Sequence, residues 1–111
     1  CMEINIEKRG NITFVNINGA LYIATMPYFE SMWAEIMKDE PEVIAINCAA
    51  VELIDSTALG ILAHYLKILD SQNRKLIFYD LSDAVINIFR LTKLDKFFNV
   101  MTKEELDLMY K

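Results

Sequence analysis

Ile4 and Ile6 alternate with polar residues over positions 3 to 8, the two-residue period of a strand with one face in water. The turn pair Gly10-Asn11 follows, and Ile12, Phe14 or Val15, and Ile17 continue as strand positions. These two segments are predicted to form an antiparallel hairpin ended by Gly19. The period then lengthens. Phe29, Met32, Trp33, Ile36 and Met37 share one face of a 3.6-residue repeat, which predicts an amphipathic helix. Thr25 stands at its N-cap position, Pro27 is tolerated in the first turn, and Pro41 ends it.

Residues 42 to 48, EVIAINC, and 75 to 81, KLIFYDL, are short apolar runs rich in strand formers and read as strands buried on both faces. Between them ELIDSTALGIL, residues 52 to 62, leads into a helix expected from about residue 56 to 70. Ser82 is placed to cap a helix carrying Val85, Ile86, Phe89 and Arg90, and FFNV at 97 to 100 reads as a last short strand. Thr102 with Glu105 makes a capping box for a final helix. The order ββαβαβαβα predicts an α/β domain spanning 1–111, with a mixed, mostly parallel sheet of 4–5 strands and about four helices joined by right-handed crossovers.

Composition narrows the function. A net charge of −5 leaves no surplus of cations to neutralise phosphates, which argues against nucleic acid. The apolar runs fall far short of the ~20 residues that span a bilayer, so no direct membrane insertion is expected. No cationic and apolar leader opens the chain, and a reduced, cytoplasmic setting is expected. Cys1 ahead of Met2 is read as a residue added before a native start, and Cys48 as a small core residue.

The chemical inventory holds no catalytic constellation. The one histidine, His64, lies eight residues from Ser56 on the same predicted helix, about 12 Å along its axis and beyond hydrogen-bond reach. A small enzyme using Ser56 is therefore disfavoured. Gly10, Gly19 and Gly60 are too dispersed to cradle a phosphate chain. Asp80 and Asp83 flank a strand-to-helix turn where capping is favoured over chelation of a hard cation. The charged clusters at 38 to 42 and 103 to 107 read as solvated faces. No catalytic residue, metal or cofactor is expected.

What remains is Asp55-Ser56-Thr57, at the mouth of the apolar helix. As a cap, Asp55 or Ser56 supplies an acceptor to free N–H groups, a contribution of ~1 kcal/mol. As a switch, an exposed Ser56 hydroxyl at a helix N-terminus accepts a phosphate, because the N–H groups and macrodipole tolerate a dianion there.

LIDSTALGIL resembles the signature of STAS domains of the anti-sigma factor antagonist type, D-S-[ST]-G-L-G after an apolar pair. VIAINCAAVELIDSTALGIL is similar to that family's buried strand, loop and phosphorylation helix. LSDAVINIFRLTKLDKFF resembles its later Ser-capped helix, turn and last strand. The resemblance implies a non-catalytic, bacterial regulator of transcription that works by partner switching. Its phosphorylation site would be Ser56, and its partner-binding residues Asp55, Ser56, Thr57 and Ala58. The unmodified form would bind an anti-sigma factor that is also a serine kinase, releasing a sigma factor. Phosphorylation would end that contact and a serine phosphatase would restore it. ATP belongs to the partner.

Two departures from the family pattern stand out. Ala58 replaces a glycine and adds a methyl where a kinase would approach, and Gly19-Ala20-Leu21-Tyr22 replaces a Gly-Glu-Leu-Asp turn. The alternative implied by the same resemblance is a STAS accessory subunit of a lipid or anion transport system, docked on a transporter ATPase. Whether the chain forms a homodimer is left open by its residues.

Overall fold

The computed structural model describes residues 2–110, so Cys1 and the expectation attached to it lie outside the described residues. Strand β1 (Glu3–Arg9) pairs antiparallel with β2 (Ile12–Leu21), from Glu3↔Asn18 to Arg9↔Ile12. Gly10 makes the intervening turn with a left-handed φ of 62°, a conformation glycine adopts without a Cβ clash. Then follow α1 (Met26–Met37), β3 (Val43–Ile54), α2 (Ser56–Ser71), β4 (Lys75–Tyr79), α3 (Asp83–Leu91), β5 (Asn99–Met101) and α4 (Lys103–Met109). The sheet order is β1-β2-β3-β4-β5, with every pair after the hairpin parallel. This is the α/β architecture that the element order predicts.

Each sheet face has its own core. Val15, Ile17, Ile44, Ile46, Leu76 and Phe78 point to the side covered by α1, α2 and α3. Ile12, Phe14, Val43, Ala45, Ile77 and Tyr79 point to the other side, where Leu106 of α4 covers them. Strands β3 and β4 are thus apolar in both phases because both faces are covered. Met26, Phe29, Trp33 and Ile36 form the buried stripe of α1.

Three boundaries differ from expectation. Gly19 does not end β2. With φ of 127° it lies at a register shift against β3, and pairing resumes through Leu21↔Ile54. Strand β3 therefore does not stop at Cys48, because the backbone of β2 offers partners as far as Ile54. The last strand begins at Asn99, since Phe97 and Phe98 belong to a turn whose N–H groups both donate to the Leu94 carbonyl.

Two capping expectations also change. Thr25 sits at the N-cap of α1 with helical backbone angles, and its side chain caps nothing. Its hydroxyl donates to the Ala20 carbonyl at 2.7 Å and accepts from the Tyr22 N–H at 3.1 Å, folding the β2–α1 turn on itself. Asp80 does not cap the helix that follows it. Ser82 does so, accepting from the Val85 N–H, while the Asp80 carboxylate accepts from the Lys103 N–H at the start of α4.

Candidate functional site

Tyr79 of β4 pairs with Asn47, the last β3 residue in register with β4, yet β3 runs on to Ile54 against β2 alone. This overhang carries the start of α2 beyond the end of β4. The same overhang brings Ile54 beside Leu21, so the β3–α2 and β2–α1 turns meet.

Asp55 joins them. Its backbone is still extended, as an N-cap residue's is, and its N–H donates to the Leu21 carbonyl at 3.0 Å. One carboxylate oxygen accepts from the Ala58 N–H at 2.8 Å, which caps α2. The other accepts from the Ile23 N–H at 2.9 Å, which fixes the neighbouring turn. Both oxygens are thus engaged in charge-assisted bonds to backbone, the stronger class of hydrogen bond.

The capping role belongs to Asp55, which leaves the Ser56 hydroxyl, on the first helical residue, outside the cap. Ser56 is exposed and Thr57 half-buried. Ala58 is fully buried in the core, which corrects one expectation: its methyl points inward and does not stand in the path of an approaching enzyme. Of the four partner-binding candidates, Asp55, Ser56 and Thr57 reach the surface, whereas Ala58 contributes its N–H to the cap. His64 lies on the same unbroken helix two turns on, exposed, at an axial distance that keeps it from Ser56.

Exposed apolar side chains stand beside the site, next to the polar Asn18, Thr25 and Glu52. Ile23 is 66% exposed, Leu53 46% and Tyr22 37%. Tyr22 and Ile23 belong to the turn that Asp55 holds, and Leu53 pairs with Ala20 just before it. A shallow cavity of ≈ 360 Å³ opens between Gly19, Ala20, Tyr22, Thr25 and Leu53. Ile23 and Leu53 were not singled out by sequence reasoning. Their only signal is an apolar residue in a turn or at the solvent phase of a strand, and isolated cases of that are common.

Among the described residues, Cys48 and Tyr65 are not reactive centres either. Burial, with the Asp80 charge behind it, pushes the Cys48 thiol up to about 12, so it stays protonated and inert. Burial and then Glu30 raise Tyr65 to about 12 as it stacks on Trp33 with ring centroids 4.2 Å apart. Among the described residues no cluster of three potential ligands could hold a metal. No helix among them is long and apolar enough to cross a membrane.

The family model described as "STAS domain" matches residues 3–106. The chain belongs to the STAS domain family. Within it, the chain is similar to the "Anti-sigma-B factor antagonist" of Staphylococcus aureus (strain NCTC 8325 / PS 47). The two are 29% identical over 108 residues, 96% of this chain and 100% of the relative. Its fold is similar to the crystal structure of an anti-sigma factor antagonist from Mycobacterium paratuberculosis, with a TM-score of 0.80 and 25% identity over 90% of this chain and 85% of that one. It is similar as well to the Bacillus cell fate determinant SpoIIAA in the phosphorylated form, TM-score 0.72, at 14% identity over 98% of this chain and 100% of that one. The last likeness concerns the fold. In this STAS domain Asp55, Ser56 and Thr57 of the signature follow the overhanging end of β3 and reach the surface.

Proposed function

We propose that this STAS domain is a cytoplasmic anti-sigma factor antagonist that switches partners at Ser56. The observation that carries the reading is the division of labour at the start of α2. Asp55 does the capping with one oxygen and ties down the Tyr22–Ile23 turn with the other, so Ser56 is free to react. The unmodified protein docks its apolar surround, Tyr22, Ile23 and Leu53, on an anti-sigma factor serine kinase and thereby releases the sigma factor. The domain itself catalyses nothing.

The kinase ends the contact. The Ser56 oxygen attacks the γ-phosphorus of ATP held by the kinase, ADP leaves, and the hydroxyl proton passes to a base on the kinase. Phosphoserine adds about −1.5 to −2 charge beside Asp55. The helix N-terminus accommodates that charge within the free protein, so the fold survives. The interface does not accommodate it. Moving an equilibrium from mostly bound to mostly free takes ~5.5 kcal/mol. Helix-end effects contribute only ~0.3–1 kcal/mol. The rest comes from burying a dianion among Tyr22, Ile23 and Leu53, where loss of solvent also strengthens its repulsion by Asp55. A serine phosphatase hydrolyses the ester and restores the binding form.

The test is incubation with ATP and the serine-kinase anti-sigma factors of the same organism, read by intact mass. Wild type gains one phosphate and Ser56→Ala gains none. No modification by any such kinase, together with co-purification of a transporter ATPase, overturns the reading in favour of a transport subunit.

A further inference from the structure

The protein is acidic overall, with a net charge of −5, yet its unpaired cations are concentrated. Lys8, Arg9, Lys38 and Lys103 form ion pairs with Asp39, Glu7, Glu35 and Asp107. The Arg74 guanidinium donates to the Pro41 carbonyl and the Gln72 side chain. Among the described residues this leaves Lys67, Lys75, Arg90, Lys93 and Lys96 without such a partner, and all but Lys75 belong to α2 or to the end of α3 and the turn beyond it.

Those two segments meet. Lys67 and Lys96 line a groove of ≈ 290 Å³, with Leu66 and Phe97 as its apolar walls and Asp70 as its one carboxylate. The turn that carries Lys96 is compact: the Lys93 N–H donates to the Arg90 carbonyl, Leu94 to Phe89, and Phe97 to Leu94. Arg90 and Lys93 therefore stand on the same knot of chain as Lys96. Asp95 and Asp70 moderate the positive charge without matching the four cations. The same segments carry open apolar side chains: Leu91 is 84% exposed, and Phe97 and Ile68 are each 43% exposed. A single exposed leucine means nothing, but two unpaired lysines in one groove, with two more unpaired cations on the adjoining segment of an acidic protein, form a patch with a chemistry.

We propose that this groove docks an acidic peptide segment of a partner protein, anchored by one apolar side chain. The anchor enters between Leu66 and Phe97, while Lys67 and Lys96 meet the carboxylates that flank it, and Arg90 and Lys93 on the adjoining segment add to the positive field. A bilayer is the other anionic surface such cations attract. Leu91 and Ile68 are exposed enough to insert among lipids, but the recess lined by Lys67 and Lys96 fits a single side chain better than a flat lipid surface. The groove lies near the far end of the helix that begins at Ser56, about 16 Å along the axis from Ser56 to Lys67. A segment held there leaves Ser56 uncovered, and the proposal stands whether or not Ser56 is the switch.

The test is selection of a displayed random peptide library on the full chain, followed by binding of the enriched peptides to wild type and to the charge reversal Lys67→Glu/Lys96→Glu. Enriched peptides are expected to be acidic with a Leu, Phe or Trp anchor, and to bind the double variant at least about tenfold more weakly. Their amide-shift footprint covers Lys67, Lys96 and Asn99, and unchanged far-UV dichroism shows the variant folded. No enrichment, enrichment without acidic bias, or equal binding by the variant overturns the proposal. So does co-sedimentation with phosphatidylserine–phosphatidylcholine vesicles that the same reversal abolishes, which assigns the patch to membranes. Phe97→Ser, which keeps the charges, should weaken binding as well; unaltered binding removes the anchor site.

Discussion

The Ile23 N–H donates to the Asp55 carboxylate across 32 residues of sequence, at 2.9 Å, while the other oxygen of that carboxylate accepts from Ala58. One side chain thus sets the start of α2 and the shape of the turn beside it. Asp55→Ala removes both bonds and is expected to cost about 1–3 kcal/mol in urea unfolding. Asp55→Asn keeps one acceptor and should cost less than half as much. If the carboxylate is the tie, Ile23 amide exchange quickens in Asp55→Ala while the amides of β4 are unchanged; equal protection of Ile23 in wild type and Asp55→Ala would refute the coupling.

Ser56 lies outside the cap, so its loss should hardly touch the fold. Ser56→Ala is expected to shift stability by no more than about 0.5 kcal/mol. Ser56→Asp should keep the native dichroism and melting profile yet bind the kinase at least about tenfold more weakly, as calorimetric titration would read. Unfolding of Ser56→Asp would instead make Ser56 a structural residue.

The apolar surround makes a separate prediction. Ile23→Ser and Leu53→Ser remove exposed side chains, so unfolding midpoints should stay near wild type. Kinase binding should weaken by roughly 1–2 kcal/mol for each, the size expected of a contact that anchors an interface. Wild-type affinity in both variants would put the docking surface elsewhere.

Alkaline pH should weaken the protein through buried acids. The Cys48 thiol is raised from 9.0 to about 12 in the folded chain, by burial first and Asp80 second. Between those values the unfolded chain has lost the proton and the folded chain retains it, so stability falls as pH rises. Below about 9 the contribution is complete. Urea midpoints measured from pH 8 to 12 should decline, and Cys48→Ala, although less stable throughout because of its cavity, should decline less steeply. Parallel pH profiles would show that Cys48 contributes nothing to the slope.

Much of this was legible because the signals are local. The Phe29–Trp33–Ile36 stripe lies within one helix, and the Ser82 cap and the Thr102–Glu105 box close over three residues each. Helix periods and caps are properties of a few consecutive side chains, so they can be read before the chain folds. The doubly apolar runs at 43–48 and 75–79 likewise announced strands with both faces covered.

Local patterns of side chains specify the order of elements, their buried faces, and the placing of Asp55 and Ser56 at a helix start. The tertiary structure alone decided the overhang of β3, the passage of β2 through Gly19, the inward methyl of Ala58 and the carboxylate of Asp80 at α4. It also decided that Asp55 holds the Tyr22–Ile23 turn and so frames the surface around Ser56. Each of these is a bond or contact between segments some twenty to thirty residues apart. Their partners exist only once the sheet is in register, and no local pattern encodes which N–H a carboxylate will meet across a fold.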